Sequence, residues 1–267
     1  MHTVLISPRC QLRLGALVAD SDLIRIRLSK ISFENYGKLA RDLQDPTVVG
    51  GRYPLQAAAQ RHIVRDIAQK LELRPEDDLL EIGCNIGNLL VPLSFLVERV
   101  VGVDHPSCLE ALQKRFHGEN VRLLPGNFLE MKVDGLFDKV LSYSVLHYLS
   151  DRHEVLDFIA KALKLLAPGG RALFGDIPNC SHKKRFLESE TGKAFERQWR
   201  ELLHKEGNQN TFAEIQPDPA LVQFDDELVL EICRRSRAEG FDTYILSQPA
   251  YLPFGHTRED IVVIRPE

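Results

Sequence analysis

Apolar residues fall into two alternating kinds of run along this chain. Short continuous runs recur at Leu79-Leu80-Glu81-Ile82, Val100-Val101-Gly102-Val103, Val121-Arg122-Leu123-Leu124, Phe137–Ser142 and Arg171–Phe174. Between them lie longer segments whose apolar positions return every three or four residues: Ile63, Val64, Ile67 and Leu71; Leu109, Leu112 and Phe116; Val155, Leu156, Ile159, Leu163 and Leu166. The first kind predicts strands buried on both faces, the second amphipathic helices. Ser107 and Glu110 have capping-box spacing at the head of one helix, and Pro168-Gly169-Gly170 closes another. Strands alternating with helices predict a parallel sheet with right-handed crossovers, a doubly wound α/β domain.

The two ends of the chain depart from that alternation. Leu12, Leu14, Ala16 and Val18, then Ile24, Ile26 and Leu28, alternate with other residues on either side of Asp20-Ser21-Asp22. This predicts a β-hairpin at a sheet edge or in a homodimer contact, with a poorly ordered leader as the alternative. Residues 1–31 are therefore set apart as an N-terminal extension, and 32–267 as the main domain. A short helix is expected around Tyr36–Leu43, then a loop through Gly50-Gly51-Arg52-Tyr53, with Pro54 at the first position of the next helix. Beyond residue 180 a single charged helix is expected over 183–206, carrying Phe186, Phe195 and the only Trp, Trp199. A second helix over Asp225–Glu239 ends at Gly240. Thr243–Leu246 and Asp260–Ile264 read as two strands, most simply antiparallel.

Composition excludes more than it selects. A chain of 267 residues can build one sizeable core, and 44% hydrophobic with 27% charged residues is ordinary for a globular protein. A net charge of −4 gives no electrostatic case for nucleic acid or an anionic membrane as the main partner. Five scattered cysteines without a C-x-x-C pair argue for reduced thiols in a cytoplasmic compartment and against structural zinc. No run approaches membrane-spanning length. The basic cluster His182-Lys183-Lys184-Arg185 is either a solvated helix face or a site for a phosphate or carboxylate.

Candidate chemistry concentrates where the first strand ends, at Glu81-Ile82-Gly83-Cys84-Asn85-Ile86-Gly87-Asn88. One helix later, Val103-Asp104 closes a second strand on an acid, the place from which a carboxylate typically binds a ribose. A dinucleotide loop G-x-G-x-x-G begun at Gly83 would need glycine at 85 and 88, and both are Asn. The stretch instead resembles motif I of class I S-adenosylmethionine (SAM)-dependent methyltransferases, E/D-x-G-x-G-x-G, with Asn85 in place of the middle glycine. Asn tolerates left-handed dihedrals better than most residues. Phe137-Asp138 and Pro168-Gly169-Gly170 extend the resemblance over about 75–265.

That resemblance implies a Rossmann-like sheet of order 3-2-1-4-5-7-6, with strand 7 antiparallel, helices on both faces and residues 179–222 as a helical substrate-cover insertion. It implies SAM as cofactor, bound by Glu81, Gly83, Asn85 and Gly87 on the loop and by Asp104 at both ribose hydroxyls. His105 would lie near the adenine face, Asn127 at the adenine amino group with Phe128 against the ring, and Ser142 and Tyr143 at the methionine moiety. An ordinary turn is the alternative for Asn127. Tyr53 would either cover the pocket or pack. His147 and Asp176, beyond the fourth and fifth strands, are the catalytic candidates, as base or substrate acceptor; packing and turn capping are their alternatives. No metal is implied. Ser142-Tyr143-Ser144-Val145 stands where methylases of nucleobase amino groups have N/D-P-P-Y/F, so the expected acceptor is a small molecule, methylated at oxygen before nitrogen or carbon. Two other readings remain: an NAD(P)- or nucleotide-sugar-dependent enzyme, and a non-catalytic SAM-binding scaffold.

Overall fold

A computed structural model describes residues 21–42, 45–205 and 222–267. The chain opens with helix α1 (Ser21–Asp42), a short α2 (Pro46–Val49), a 3₁₀ turn (Pro54–Ala59) and α3 (Gln60–Leu71). Then follow β1 (Asp78–Ile82), α4 (Leu90–Ser94), β2 (Arg99–Asp104), α5 (Pro106–Arg115), β3 (Val121–Pro125) and β4 (Phe137–Tyr143). A second 3₁₀ turn (Leu146–Tyr148) leads to α6 (Arg152–Leu163) and β5 (Leu166–Pro178). Helices α7 (Cys180–Glu188), α8 (Glu190–Lys205) and α9 (Asp226–Ala238) precede β6 (Asp242–Ser247) and β7 (Arg258–Ile264).

The seven strands form one sheet in the order β3-β2-β1-β4-β5-β7-β6. The first five pair in parallel, and β7 runs antiparallel to both β5 and β6. This is the doubly wound, Rossmann-like arrangement expected from the sequence. Strand residues alternate between the two faces, so each central strand feeds two cores. Leu80, Val140 and Phe174 pack with Phe158, Ile159 and Ile232 of α6 and α9. Their neighbours Leu79, Leu141 and Leu173 pack with Ile63, Ile67, Leu93 and Leu112 of α3, α4 and α5. Burial on both faces is why these strands carry unbroken apolar runs. Helix starts are fixed locally by side chains that accept from orphan amides: Asp151 for α6, Asn179 for α7 and Asp225 for α9.

Three expectations are corrected. Ile24–Leu28 lies inside α1, so the second half of the proposed hairpin is helical; Leu12–Val18 falls outside the described residues. Helix α1 also takes in residues 36–42 of the short helix expected at Tyr36–Leu43, Leu43 falling outside the described residues, and it is tertiary contact that holds it. The Ser29 amide donates to Ser150 Oγ (3.1 Å), the Arg41 guanidinium to Ser107 Oγ (2.6 Å), and Gly37 sits against the His105 ring. The single helix expected over 183–206 is two. Ser189 leaves helical geometry (ψ 156°) and its hydroxyl accepts from the Gly192 amide, capping α8.

Strand β5 runs past Phe174 through a register shift before it pairs again at Ile177 with Glu259. Within this bulge Asp176 takes φ 60°, which re-aims its side chain, a common use of bulges beside active sites. Asp260 on β7 anchors the irregularity. It is fully buried, accepts from the Asp176 amide (2.8 Å) and Gln248 Nε2 (2.9 Å), and pairs with Lys70 Nζ (2.6 Å), which also meets Asp66 at 2.6 Å. Breaking a buried pair from one side strands a charge. Asp260→Ala is therefore expected to lower stability by about 3–5 kcal/mol in urea unfolding, and Asp260→Asn by less.

Candidate active site

The site lies beyond the carboxyl ends of β1, β2, β4 and β5, where an open parallel sheet offers a crevice. Just after β1 the backbone turns left-handed at alternate residues: Gly83 (φ 82°), Asn85 (φ 49°) and Gly87 (φ 84°). A Cβ at Gly83 would sit 2.3 Å from the Val145 side chain, so the loop must be bare there. At Asn85 the side chain adds ties that glycine could not make. Its Nδ2 donates to Val49 O (2.9 Å) and its Oδ1 accepts from the Ile86 amide (2.7 Å). Asn88 Nδ2 donates to Pro46 O (2.6 Å), so the two asparagines together bind α2 to the loop.

The Asn85 amide donates to Asp104 Oδ2 (2.7 Å) and the His105 amide to Asp104 Oδ1 (2.6 Å). Both carboxylate oxygens are thus oriented by backbone. Burial raises the Asp104 carboxyl above its ordinary range, against the opposing pull of these two amides. Behind it, Glu81 is buried and its Oε2 has no hydrogen-bond partner. Burial first, and the Asp104 charge second, push its carboxyl up to about 8.

These residues open into a cavity of about 380 Å³. Of the sequence candidates, Glu81, Gly83, Asn85, Asp104, Asn127, Phe128, Tyr143, His147 and Asp176 line it. Gly87, His105 and Ser142 do not. Gly87 sits under Leu112, and the Ser142 side chain is buried within β4. The His105 ring caps α5 by accepting from the Ser107 amide and packs edge-on against Phe33 at 4.9 Å. Asn127 closes an Asx turn, its Oδ1 accepting from the Leu129 amide (3.0 Å), while it lines the cavity. Lys161 holds this loop by donating to the carbonyls of Phe128 (2.6 Å), Leu129 (3.1 Å) and Met131 (2.5 Å).

On the β5 side, His147 is buried with its ring centroid 4.1 Å from that of Tyr148. Burial, then the Arg258 and Arg52 charges, lower its imidazole well below the ordinary range, so it is neutral at pH 7. Asp176 accepts a short hydrogen bond from the Ser144 hydroxyl, and Ser144 is itself left-handed (φ 61°). Tyr53 lines the cavity and reaches Trp199 of α8 at 5.6 Å, which brings the α7–α8 segment to its mouth. Phe212 and the rest of 206–221 lie outside the described residues.

Sequence reasoning missed Arg52, Ser144 and Arg258, and also Phe33 and Tyr36, which bring α1 to the cavity wall. The Gly50-Gly51-Arg52 stretch was the one available signal, a bare turn delivering an arginine. Two residues of the basic cluster at 182–185 are engaged elsewhere: Arg185 pairs with Asp226, and His182 Nδ1 lies 3.2 Å from Glu259.

Residues 80–174 match a family described as "Methyltransferase domain". Nodulation protein S of Rhizobium tropici is 27% identical over 164 residues, covering 59% of this chain and 67% of its own. A 23S rRNA (uracil(1939)-C(5))-methyltransferase of Bordetella pertussis is 30% identical over 124 residues, but the match spans only 25% of that protein and 43% of this chain. Among solved structures, the N-methyltransferase NodS of Bradyrhizobium japonicum in complex with S-adenosyl-l-homocysteine superposes with a TM-score of 0.54 at 19% identity, over 87% of this chain and 99% of that one. Among the described residues no helix is long and apolar enough to cross a membrane.

The Glu81 carboxyl gives the folded protein a pH signature. A carboxyl raised on folding from 4.5 to about 8 keeps its proton in the native state while the unfolded chain loses it. Through this group alone, stability is undiminished below about pH 4.5 and falls progressively as pH rises toward 8. Urea unfolding of Glu81→Gln should show this decline flattened by more than about 1 kcal/mol between pH 5 and 8 relative to the unmodified protein.

Proposed function

We propose that this chain, whose residues 80–174 match the methyltransferase domain family and whose sheet has the order β3-β2-β1-β4-β5-β7-β6, uses SAM to methylate a small-molecule acceptor at oxygen. The observation that carries the reading is one cavity joining the Glu81–Asn85–Asp104 loop to a buried neutral histidine. The cofactor supplies a methyl group activated on a sulfonium; the residues present fit it. Asp104, with each oxygen fixed by a backbone amide, keeps lone pairs for a vicinal diol. Glu81 Oε2 is buried and unpartnered, and an ammonium beside it would favour the ionised carboxylate over the protonated form that burial favours in its absence. The Gly83–Gly87 loop passes the backbone close to the ligand, Asn127 and Phe128 take the base, and Ser142 and Tyr143 end β4 beside the methionine portion. His105 contributes from outside the cavity, through the helix cap that follows Asp104.

Methyl transfer asks the protein to align a nucleophile and to take its proton. His147 is in its unprotonated form and accepts that proton at the ring nitrogen that carries none. Asp176, hydrogen-bonded to Ser144, orients the acceptor. Both stand on residues that packing holds still, which keeps the alignment tight. The structural neighbour from Bradyrhizobium is an N-methyltransferase, so methylation of an amine is the second reading. For an amine already neutral at the moment of attack, His147 would be less critical than Asp176.

Calorimetric titration is the direct test. S-adenosylhomocysteine should bind at micromolar Kd and NADH should not, and Asp104→Ala should weaken the former at least about tenfold, the loss of a charge-assisted hydrogen-bond pair. NADH binding in its place would return the loop to a dinucleotide. With SAM and a panel of phenols, sugars and amines, His147→Gln should cut turnover on hydroxyl acceptors by about 10²-fold or more. A product of unchanged yield from both His147→Gln and Asp176→Asn would remove these two from the chemistry.

A further inference from the structure

The acceptor half of the cavity has a character that methyl transfer to oxygen does not by itself require. With Glu81, Asp104, Asn127 and Phe128 given to the cofactor, the β5 side is lined by Tyr53, His147, Tyr148, Asp176, Phe254 and Arg258. In the methyl-transfer reading Arg52 belongs to the cofactor as well. Its guanidinium stands 5.8 Å from the ring centroid of Tyr143, beside which the methionine portion and its carboxylate are placed. Among the described residues lining the cavity, one pair of charges is then left, and it is balanced. Arg258 Nε lies 3.7 Å from Asp176 Oδ1, and its Nη1 donates to the Asp176 carbonyl at 3.4 Å. Asp176 Oδ1 has no hydrogen-bond partner of its own and is left to accept from a neutral donor. An ionised acceptor would lose its hydration here with no opposite charge to spare for it.

What this half offers is ring surface. Tyr53 and Phe254 line it with centroids 6.4 Å apart. Behind Tyr53 stands Trp199, edge-on at 5.6 Å, with Phe195 stacked on it in turn. His147 and Tyr148 add rings from beyond β4, 4.1 Å apart. Phe254 keeps its place against strain, a bulky residue at φ 61°. Its carbonyl accepts from the Thr257 amide (2.8 Å) and hydroxyl (3.1 Å), and the Arg258 guanidinium lies 5.2 Å from its ring centroid. Strain of this kind persists where the surroundings over-determine it, and it clusters at ligand sites. The candidate base adds a chemical constraint. A histidine that burial keeps neutral is a weak base, so its proton must come from a hydroxyl ready to yield it. A phenolic hydroxyl titrates near that of Tyr, about 10, whereas an alkyl hydroxyl lies far closer to the ~15.7 of water.

Resting on the methyl-transfer reading, we propose that the acceptor is a phenol, an uncharged aromatic ring that carries the reactive hydroxyl and packs against Tyr53 and Phe254. Its oxygen forms a bond to the methyl carbon as the carbon–sulfur bond breaks. The electron pair of that bond stays on sulfur, which loses its positive charge, and the hydroxyl proton passes to the unprotonated ring nitrogen of His147. A sugar or an alkyl alcohol of similar size offers neither ring faces nor so acidic a proton.

The test titrates the full chain with p-cresol, its saturated counterpart 4-methylcyclohexanol and the anion 4-methylbenzoate, read by ligand-observed NMR with and without saturating S-adenosylhomocysteine. p-Cresol should bind at least about fivefold tighter than either of the others, the gain that two aromatic contacts give. With SAM, p-cresol should yield 4-methylanisole while 4-methylcyclohexanol is left unmethylated. Phe254→Leu should bring the preference for the aromatic ring below about twofold, since leucine keeps the apolar bulk without the ring. Tyr53→Leu, read the same way, decides the matter if the first variant does not fold, and S-adenosylhomocysteine affinity is the control for folding in both. Absence of p-cresol binding, equal affinity for its saturated counterpart, tighter binding of 4-methylbenzoate, or a preference that survives both substitutions would overturn the proposal. Failure of S-adenosylhomocysteine to bind overturns the methyl-transfer reading instead, and the titrations without it still judge the ring site.

Discussion

The hydrogen bond from the Asn85 amide to the Asp104 carboxylate joins the ends of the two strands on which the site is built. The loop that makes it turns left-handed at residue 85 itself. Glycine makes that turn without steric cost, but asparagine makes it while spending its side chain on Val49 and Ile86. The replacement of the family's middle glycine is thus compensated within the loop. It also ties α2, and through it the Arg52 loop, to the strand end. The side chain that departs from the pattern connects the two halves of the cavity.

The opposite half depends on buried charge. Asp260 holds the bulge in β5 through the Asp176 amide and is itself held by Lys70 from α3. A bulged strand bends and turns a residue out of its alternation, and here that residue is Asp176. Without the bulge, the strand's alternation would carry the acid away from Ser144 and the arginines. The helix on one face of the sheet, the antiparallel β7 and the irregular end of β5 therefore act together on a single side chain. Its neighbours leave its Oδ1 without a hydrogen-bond partner.

Helix α1 and the α7–α8 segment close the remaining sides by different means. Helix α1 is attached by polar contacts to Ser150, Ser107 and Glu130 and by the seat of Gly37 on His105. The α7–α8 segment is attached through aromatic rings, with Phe186 stacked on His256 at 4.6 Å and Trp199 against Tyr53. The rings that attach the α7–α8 segment are half-buried, whereas Ser29, Ser107, Gly37 and His105 at the α1 contacts are buried; local opening costs least where apolar burial is small.

The alternation of apolar strands and amphipathic helices determined the doubly wound sheet, because burial on two faces leaves a periodicity that any reader of the chain can see. The acids Glu81 and Asp104 and the left-handed loop were legible for the same local reason: strand ends and turns are written by adjacent residues. Resemblance supplied the position of β7, which local pattern left only as an antiparallel partner of β6. What the sequence could not disclose was anything made by residues far apart in the chain. Ile24–Leu28 alternates like a strand, yet it is helical, in an element secured by contacts with residues about 70 to 120 positions away. His105 follows Asp104 directly, yet its ring turns to cap α5. Arg52 and Arg258 are unremarkable singly, separated by most of the chain, and acquire meaning only where the fold sets both beside Asp176. Local propensity and burial write the scaffold into neighbouring residues, whereas the charge balance of a cavity is a sum over residues that only tertiary structure brings together.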